Sequence, residues 1–163
     1  MTFSVVIDSN VLVAANNNSE QAGPNCVLAC VSALEDAKAN KLTLIDSGMR
    51  IFEEYRRHAN HSGRPGLGDA FFKWLWNNQA NLSHCEQVDI TPKTHDFYDF
   101  DEFPDDPELT GFDRSDRKFV AVAQASGKRP TILNATDSDW WNFKEPLAAN
   151  GLHIKFLCPG LFL

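Results

Sequence analysis

Three stretches of this chain run from aliphatic and β-branched residues into an aspartate. They are Val5-Val6-Ile7-Asp8, Leu42-Thr43-Leu44-Ile45-Asp46 and Thr131-Ile132-Leu133-Asn134, the last reaching Asp137 after two small residues. Short apolar runs without polar alternation are strands covered on both faces. The segments between them carry helical spacing, which makes the pattern strand, helix, strand, helix. A chain built this way folds as an α/β protein with a mainly parallel sheet. In such sheets a site forms beyond the carboxyl ends of the strands, where their order reverses. Each aspartate stands where that site belongs.

The remaining elements follow from local signals. Residues 24–41 form a helix with proline at its start, and Val11 to Ala15 open a short helix before it. Residues 47–60 form another, with Ser47 as its expected N-cap. Gly, Ser and Pro make 61–68 a loop. Residues 69–81 read as an aromatic-rich helix and 85–90 as a short strand. The helix over 115–126 ends at Gly127, and 152–157 is a last strand stopped by Cys158-Pro159-Gly160. Between 94 and 112 acids alternate with aromatics around two prolines, which predicts a long loop with one helical turn. With 163 residues, 43% of them hydrophobic, the chain suits one domain with a packed interior, spanning 1–163 with that stretch as an insertion.

No signal-peptide pattern opens the chain, and no apolar run approaches the roughly 18 residues that span a bilayer. Cys26, Cys30, Cys85 and Cys158 lack the spacing of a zinc site. They are expected to be reduced thiols, in a cytoplasmic protein. The net charge of −7 is wrong for a protein that holds nucleic acid by overall charge, so nucleic-acid binding demands a local basic patch.

Four separate segments deliver carboxylates to one rim of the sheet. Asp8 closes the first strand. Glu54, beside Glu53, lies about two turns into the helix after the second strand. Asp116 opens the helix that returns to the 130–135 strand, and Asp137 follows that strand, with Asp139 two residues on. Each acid has a plainer use: Asp8, Asp116, Asp137 and Asp139 can cap or precede helices, and Glu54 can pair with Arg50 or His58 on its own helix. Their convergence is the signal. Two carboxylates ~5 Å apart repel by roughly 3 kcal/mol at an effective dielectric near 20, which a divalent cation offsets. An oxygen-rich ligand set favours Mg²⁺ or Mn²⁺ over zinc. Carboxylate-held cations suit phosphodiester hydrolysis, with Asn10 and Thr136 placed to bond a water or a phosphate oxygen.

"VVIDSNVLVAA", "FEEYRRHA", "DRSDRKFVAVA" and "TILNATDSDWW", in that order, resemble the PIN-domain family of ribonucleases. The similarity runs from about residue 4 to 157. It implies a three-layer α/β/α sandwich with strand order 3-2-1-4-5, Mg²⁺- or Mn²⁺-dependent endoribonuclease activity and frequent homodimers. Many family members are toxins of bacterial toxin–antitoxin pairs, so an antitoxin protein is an implied partner. The family's acids fall on Asp8, Glu54, Asp116 and Asp137, with Asp139 as a fifth ligand and Asn10 as the accompanying amide. The 94–112 insertion departs from a compact family member.

Basic candidates for the RNA backbone flank these ligands: Arg56, Arg57, His58 and Arg64 after Glu54, and Arg114, Arg117 and Lys118 around Asp116. An ordinary solvated helix face is the alternative for both groups. Phe71, Phe72, Trp74 and Trp76 suit the core or a dimer interface better than base stacking. The acidic insertion lacks the spacing of an EF-hand loop. A catalytically silent module binding RNA or a protein is the competing function. A phosphotransferase with Asp8 as nucleophile ranks last, because Asn10 stands where a second aspartate belongs.

Overall fold

The computed structural model describes residues 3–163. Five strands, β1 (Phe3–Ile7), β2 (Lys41–Asp46), β3 (Cys85–Val88), β6 (Thr131–Asn134) and β7 (His153–Phe156), pair in parallel in the order β3-β2-β1-β6-β7. Setting aside a two-stranded hairpin inserted between β3 and β6, this is the expected 3-2-1-4-5 order. The chain steps outward from β1 to β3, then crosses back to the other side of β1. The order therefore reverses between β1 and β6, whose carboxyl ends lie side by side with Ile7 opposite Leu133.

Helices cover both faces of the sheet, giving a three-layer sandwich. α5 (Arg117–Ser126) crosses β1, β2, β3 and β6, while α2 (Pro24–Asn40) packs on β2 together with α1 (Ser9–Ala15) and α4 (Leu67–Asn77). Val6, Ile7, Leu44, Ile45 and Ile132 are buried on the sheet, as an apolar run without alternation requires. Phe71 and Phe72 join this core, and Trp74 packs against it. α4 approaches α1 closely at Gly68, where a Cβ would collide with the Leu12 carbonyl oxygen. Gly68→Ala is therefore expected to cost about 1–3 kcal/mol of stability, read as a lower urea midpoint. An unchanged midpoint would show that the two helices separate freely.

Several local expectations need correction. Ser47 is not the cap of α3 (Arg50–His58); its hydroxyl donates to Asp89 at 2.5 Å. Asp46 does the capping instead, its oxygens accepting from the backbone N–H of Arg50 at 3.0 Å and Ile51 at 2.9 Å. The 94–112 insertion is not a plain loop. It contains most of a hairpin formed by β4 (Pro92–Lys93) and β5 (Asp96–Phe100), followed by a 3₁₀ turn at Pro107–Leu109. Aromatic residues anchor it, with Phe100, Phe103 and Phe112 buried. The cysteines are not four thiols either. Cys26 at the start of α2 is disulfide-bonded to Cys158 after β7, closing a separation of 132 residues, while Cys30 and Cys85 are buried thiols. The expectation of a cytoplasmic protein loses the support it drew from reduced cysteines. No helix among the described residues is long and apolar enough to cross a membrane.

Candidate metal centre

The site lies where the strand order reverses. Asp8 leaves β1 in extended conformation and caps α1, its Oδ1 accepting from the Asn10 N–H at 3.1 Å. Its Oδ2 accepts from Trp140 Nε1 at 2.8 Å, a buried donor on α6 (Ser138–Asn142). Asp137 caps α6, accepting from the Asp139 N–H at 2.9 Å. Asp116 ends a 3₁₀ turn that leads into α5. The turn is set by Asp113, which accepts from the N–H and the hydroxyl of Ser115, both at 2.9 Å. Capping and clustering are thus combined in the same side chains, because a carboxylate has lone pairs for both.

Ligand oxygens from Asp8, Asp116 and Asp137 lie within 4.8 Å of one another, and so do those from Asp113, Asp116 and Asp139. Asp116 belongs to both groups. It is 6% exposed, and its Oδ2 is buried without a hydrogen-bond partner. A buried carboxylate oxygen left unpartnered is costly unless something absent from the polypeptide completes it. Hard oxygen donors converging on Asp116 match the ligand preference of Mg²⁺ or Mn²⁺. The residues present therefore fit a divalent cation.

The electrostatics agree. Burial, then the Glu54 charge, pushes the Asp8 carboxyl up to about 7, against the donors Asn10 and Trp140. Burial, then the Asp8 and Asp137 charges, pushes Asp116 up to about 10. Asp139 is also raised, first by burial. The unfolded chain releases these protons near the ordinary value of 3.8. Between about pH 4 and 7 the folded Asp8 keeps a proton that the unfolded chain has lost, and Asp116 extends that interval upward. The metal-free fold therefore loses stability as pH rises, by up to about 1.4 kcal/mol per pH unit for each retained proton. Urea melts in EDTA from pH 5 to 9 should show a falling midpoint, shallower in Asp8→Asn. A flat or rising profile would mean the cluster is not under this strain.

Glu54 is placed differently from its expected role as a metal ligand. α3 turns Ile51, Phe52, Glu54 and Tyr55 inward and leaves Glu53 exposed, so of the two glutamates it is Glu54 that faces the site. The Tyr55 hydroxyl fixes this face by donating to the Ile7 carbonyl at 2.5 Å. Both Glu54 oxygens are already engaged, with Ser9 Oγ donating to Oε2 and Lys118 Nζ to Oε1, each at 2.6 Å. Glu54 belongs to neither three-carboxylate group.

Other residues are also reassigned. Asn10, expected to bond a water or a phosphate oxygen, has a part in the fold as well. Its amide donates to Asn134 Oδ1 at 2.7 Å and accepts from the Ala135 N–H at 2.8 Å, tying the ends of β1 and β6 together. Arg117 does not face the rim. Its guanidinium is buried against Phe103, pairs with Asp99 at 3.1 Å and donates to the carbonyls of Leu109, Thr110 and Phe112. It holds the insertion onto α5. Lys118 is in the site, as the counter-charge of Glu54 and not on a solvated face. Thr136 is half-buried beside Asp137, and Arg56, Arg57, His58, Arg64 and Arg114 are exposed. Arg56 lies over the Trp76 ring, 5.7 Å from its centroid.

Sequence reasoning missed Ser9, Trp140 and the place of Asp113 in the second carboxylate group. Asp113 carried a signal, standing three residues before Asp116. The contacts of Ser9 and Trp140 exist only in the fold. No protein-family model, curated protein or solved structure matches the chain.

Proposed function

We propose that this protein is a PIN-like, Mg²⁺- or Mn²⁺-dependent endoribonuclease that hydrolyses RNA phosphodiester bonds at the Asp8–Asp116–Asp137 cluster. One observation carries the reading: a buried, unpartnered Oδ2 on Asp116, the carboxylate that both clusters share. Asp8, Asp116 and Asp137 would hold the cation, and Asp113 and Asp139 offer a second position that shares Asp116. When bound, a divalent cation supplies a water of lowered pKa and offsets charge on the phosphate oxygens. The chain's own residues do the rest. Trp140 and the Asn10 N–H fix the Asp8 carboxylate. Asp116, pushed up to about 10, must give up its proton to take a cation, which makes cation binding tighter as pH rises. Exposed Arg57 and Arg114 stand near the rim for backbone phosphates. An antitoxin partner and a homodimer rest on the resemblance alone.

The engaged Glu54 favours a second reading, a silent PIN-like module that binds RNA or protein, because one acid of the expected set is neutralised by Lys118. A single experiment separates the two. The wild type, Asp8→Asn and Asp116→Asn are incubated with a mixed single-stranded RNA pool and Mn²⁺ or Mg²⁺, and melting temperature is followed against the same ions. The nuclease reading expects cleavage and an ion-dependent rise in melting temperature, both lost in the variants. Neither response in the wild type would leave the binding module.

A further inference from the structure

We propose that the β4–β5 hairpin is a stacking platform for an unpaired base beside the scissile phosphate. The scissile phosphate rests on the nuclease reading, while the platform itself stands on separate observations. A cavity of about 430 Å³ opens between α3, the hairpin and the segment that leads into α5. Arg50, Arg57, Arg114 and Lys118 line it together with Glu53, and Asp46, Asp96 and Glu54 pair with Arg50, Arg114 and Lys118. Arg57 is the lining cation left without an ion pair among the described residues, which gives a phosphate one place to bind in a chain of net charge −7. Lys118 is shared with the acid cluster, since its Nζ holds Glu54, whose charge acts on Asp8.

Two aromatic residues complete the cavity wall. Phe97 and Tyr98 are 72% and 64% exposed although they sit on an ordered strand. Their neighbours explain why the strand is held in place without them. Phe100 is buried under the Arg50 guanidinium, Asp99 pairs with Arg117 at 3.1 Å and Lys93 at 3.6 Å, and Asp96 pairs with Arg114 at 2.5 Å. A hairpin pinned at three points presents two exposed rings on the wall of a cavity that Arg50, Arg57 and Arg114 also line. Adjacent aromatic faces and guanidinium groups are how proteins bind single-stranded nucleic acid without reading its sequence, because every base has a π-face and every linkage a phosphate. Arg57, which forms no ion pair among the described residues, is the phosphate contact. A base in a duplex is stacked on its neighbours and cannot reach the rings.

The test is fluorescence anisotropy with a 5′-fluorescein, 2′-O-methyl RNA decamer of mixed sequence, which binds but resists cleavage. The double variant Phe97→Ala/Tyr98→Ala should bind about tenfold more weakly or worse. Phe97→Trp/Tyr98→Phe should keep wild-type affinity, and so should Leu82→Ala, which removes an exposed apolar side chain elsewhere. The same decamer annealed to its complement should bind at least about tenfold more weakly than the single strand. Unchanged affinity in the alanine double variant, or equal binding of the duplex, overturns the platform. Displacement of the RNA by an equimolar decamer of glutamate also overturns it, assigning the cavity to an acidic protein segment. Metal-dependent melting shifts distinguish the two failures. Wild-type RNA affinity in the double variant with an intact shift sinks the platform alone, whereas aromatic-dependent RNA binding without cleavage or shift sinks the nuclease reading and upholds the platform.

Discussion

Asp116→Asn is expected to abolish metal-dependent RNA cleavage, at least about a hundredfold, while making the metal-free protein more stable. The two effects have one origin. Asp116 is buried beside Asp8 and Asp137, its Oδ2 has no hydrogen-bond partner, and its carboxyl is pushed up to about 10. An asparagine of the same shape removes a ligand charge, and a loss of several kcal/mol of cation-derived stabilisation corresponds to two or more powers of ten in rate. The amide also relieves the apo fold, because it carries no charge and can donate to the neighbouring carboxylates. Each kcal/mol regained raises the melting temperature of a domain this size by about 2–4 °C. The gain should be largest above neutral pH, where the wild type faces the cost of ionising the cluster, and should vanish when Mn²⁺ saturates the wild type. Melting curves in EDTA and in Mn²⁺, run with cleavage assays on the same samples, check both. A variant that loses stability together with activity would make Asp116 a structural residue and remove the basis of the proposed site.

Asp8 and Asp46 show how far such a site is legible in the sequence. Both close apolar strands, so the same pattern marks both, and the architecture that follows from alternating strands and helices is the one observed. Their fates differ because of their neighbours. β1 lies at the reversal of strand order, where Asp116 and Asp137 arrive from across the sheet, whereas α3 starts directly after β2 and its first amides consume both Asp46 oxygens. No local pattern encodes that difference. Glu54 was legible as a candidate because it stands on the helix after the second strand and the resemblance places an acid there. Its capture by Lys118 across 64 positions was not. The hairpin was hidden for a different reason. Its strands are short, two and five residues, and hold their place through Asp99, Arg117 and buried phenylalanines more than through backbone pairing. Acid-aromatic alternation around prolines therefore reads as loop. The Cys26–Cys158 bond joins points so distant in the chain that only the packing of β7 beside β6 brings them together.

Lys118→Met should destabilise the fold by about 3–5 kcal/mol, because it leaves Glu54 as a buried carboxylate without its cation. Lys118 and Glu54 are each about 9% exposed in their side chains and 2.6 Å apart, so water cannot replace the lost charge. The penalty should be read against a double variant. Lys118→Met/Glu54→Gln removes both charges, and Ser9 Oγ can still bond the amide that replaces the carboxylate, so most of the lost stability should return; the coupling between the two positions should exceed about 1 kcal/mol. Urea melts of the four proteins measure it directly. Additive losses would show that Lys118 acts by its methylene packing alone. The cation supplies a further arm. If Lys118 balances the charge of the whole cluster through Glu54 and Asp8, Mn²⁺ should restore more stability to Lys118→Met than it adds to the wild type, since an added positive charge is then worth more. If Mn²⁺ adds the same increment to both, the lysine serves Glu54 only and the three aspartates form an electrostatically separate site.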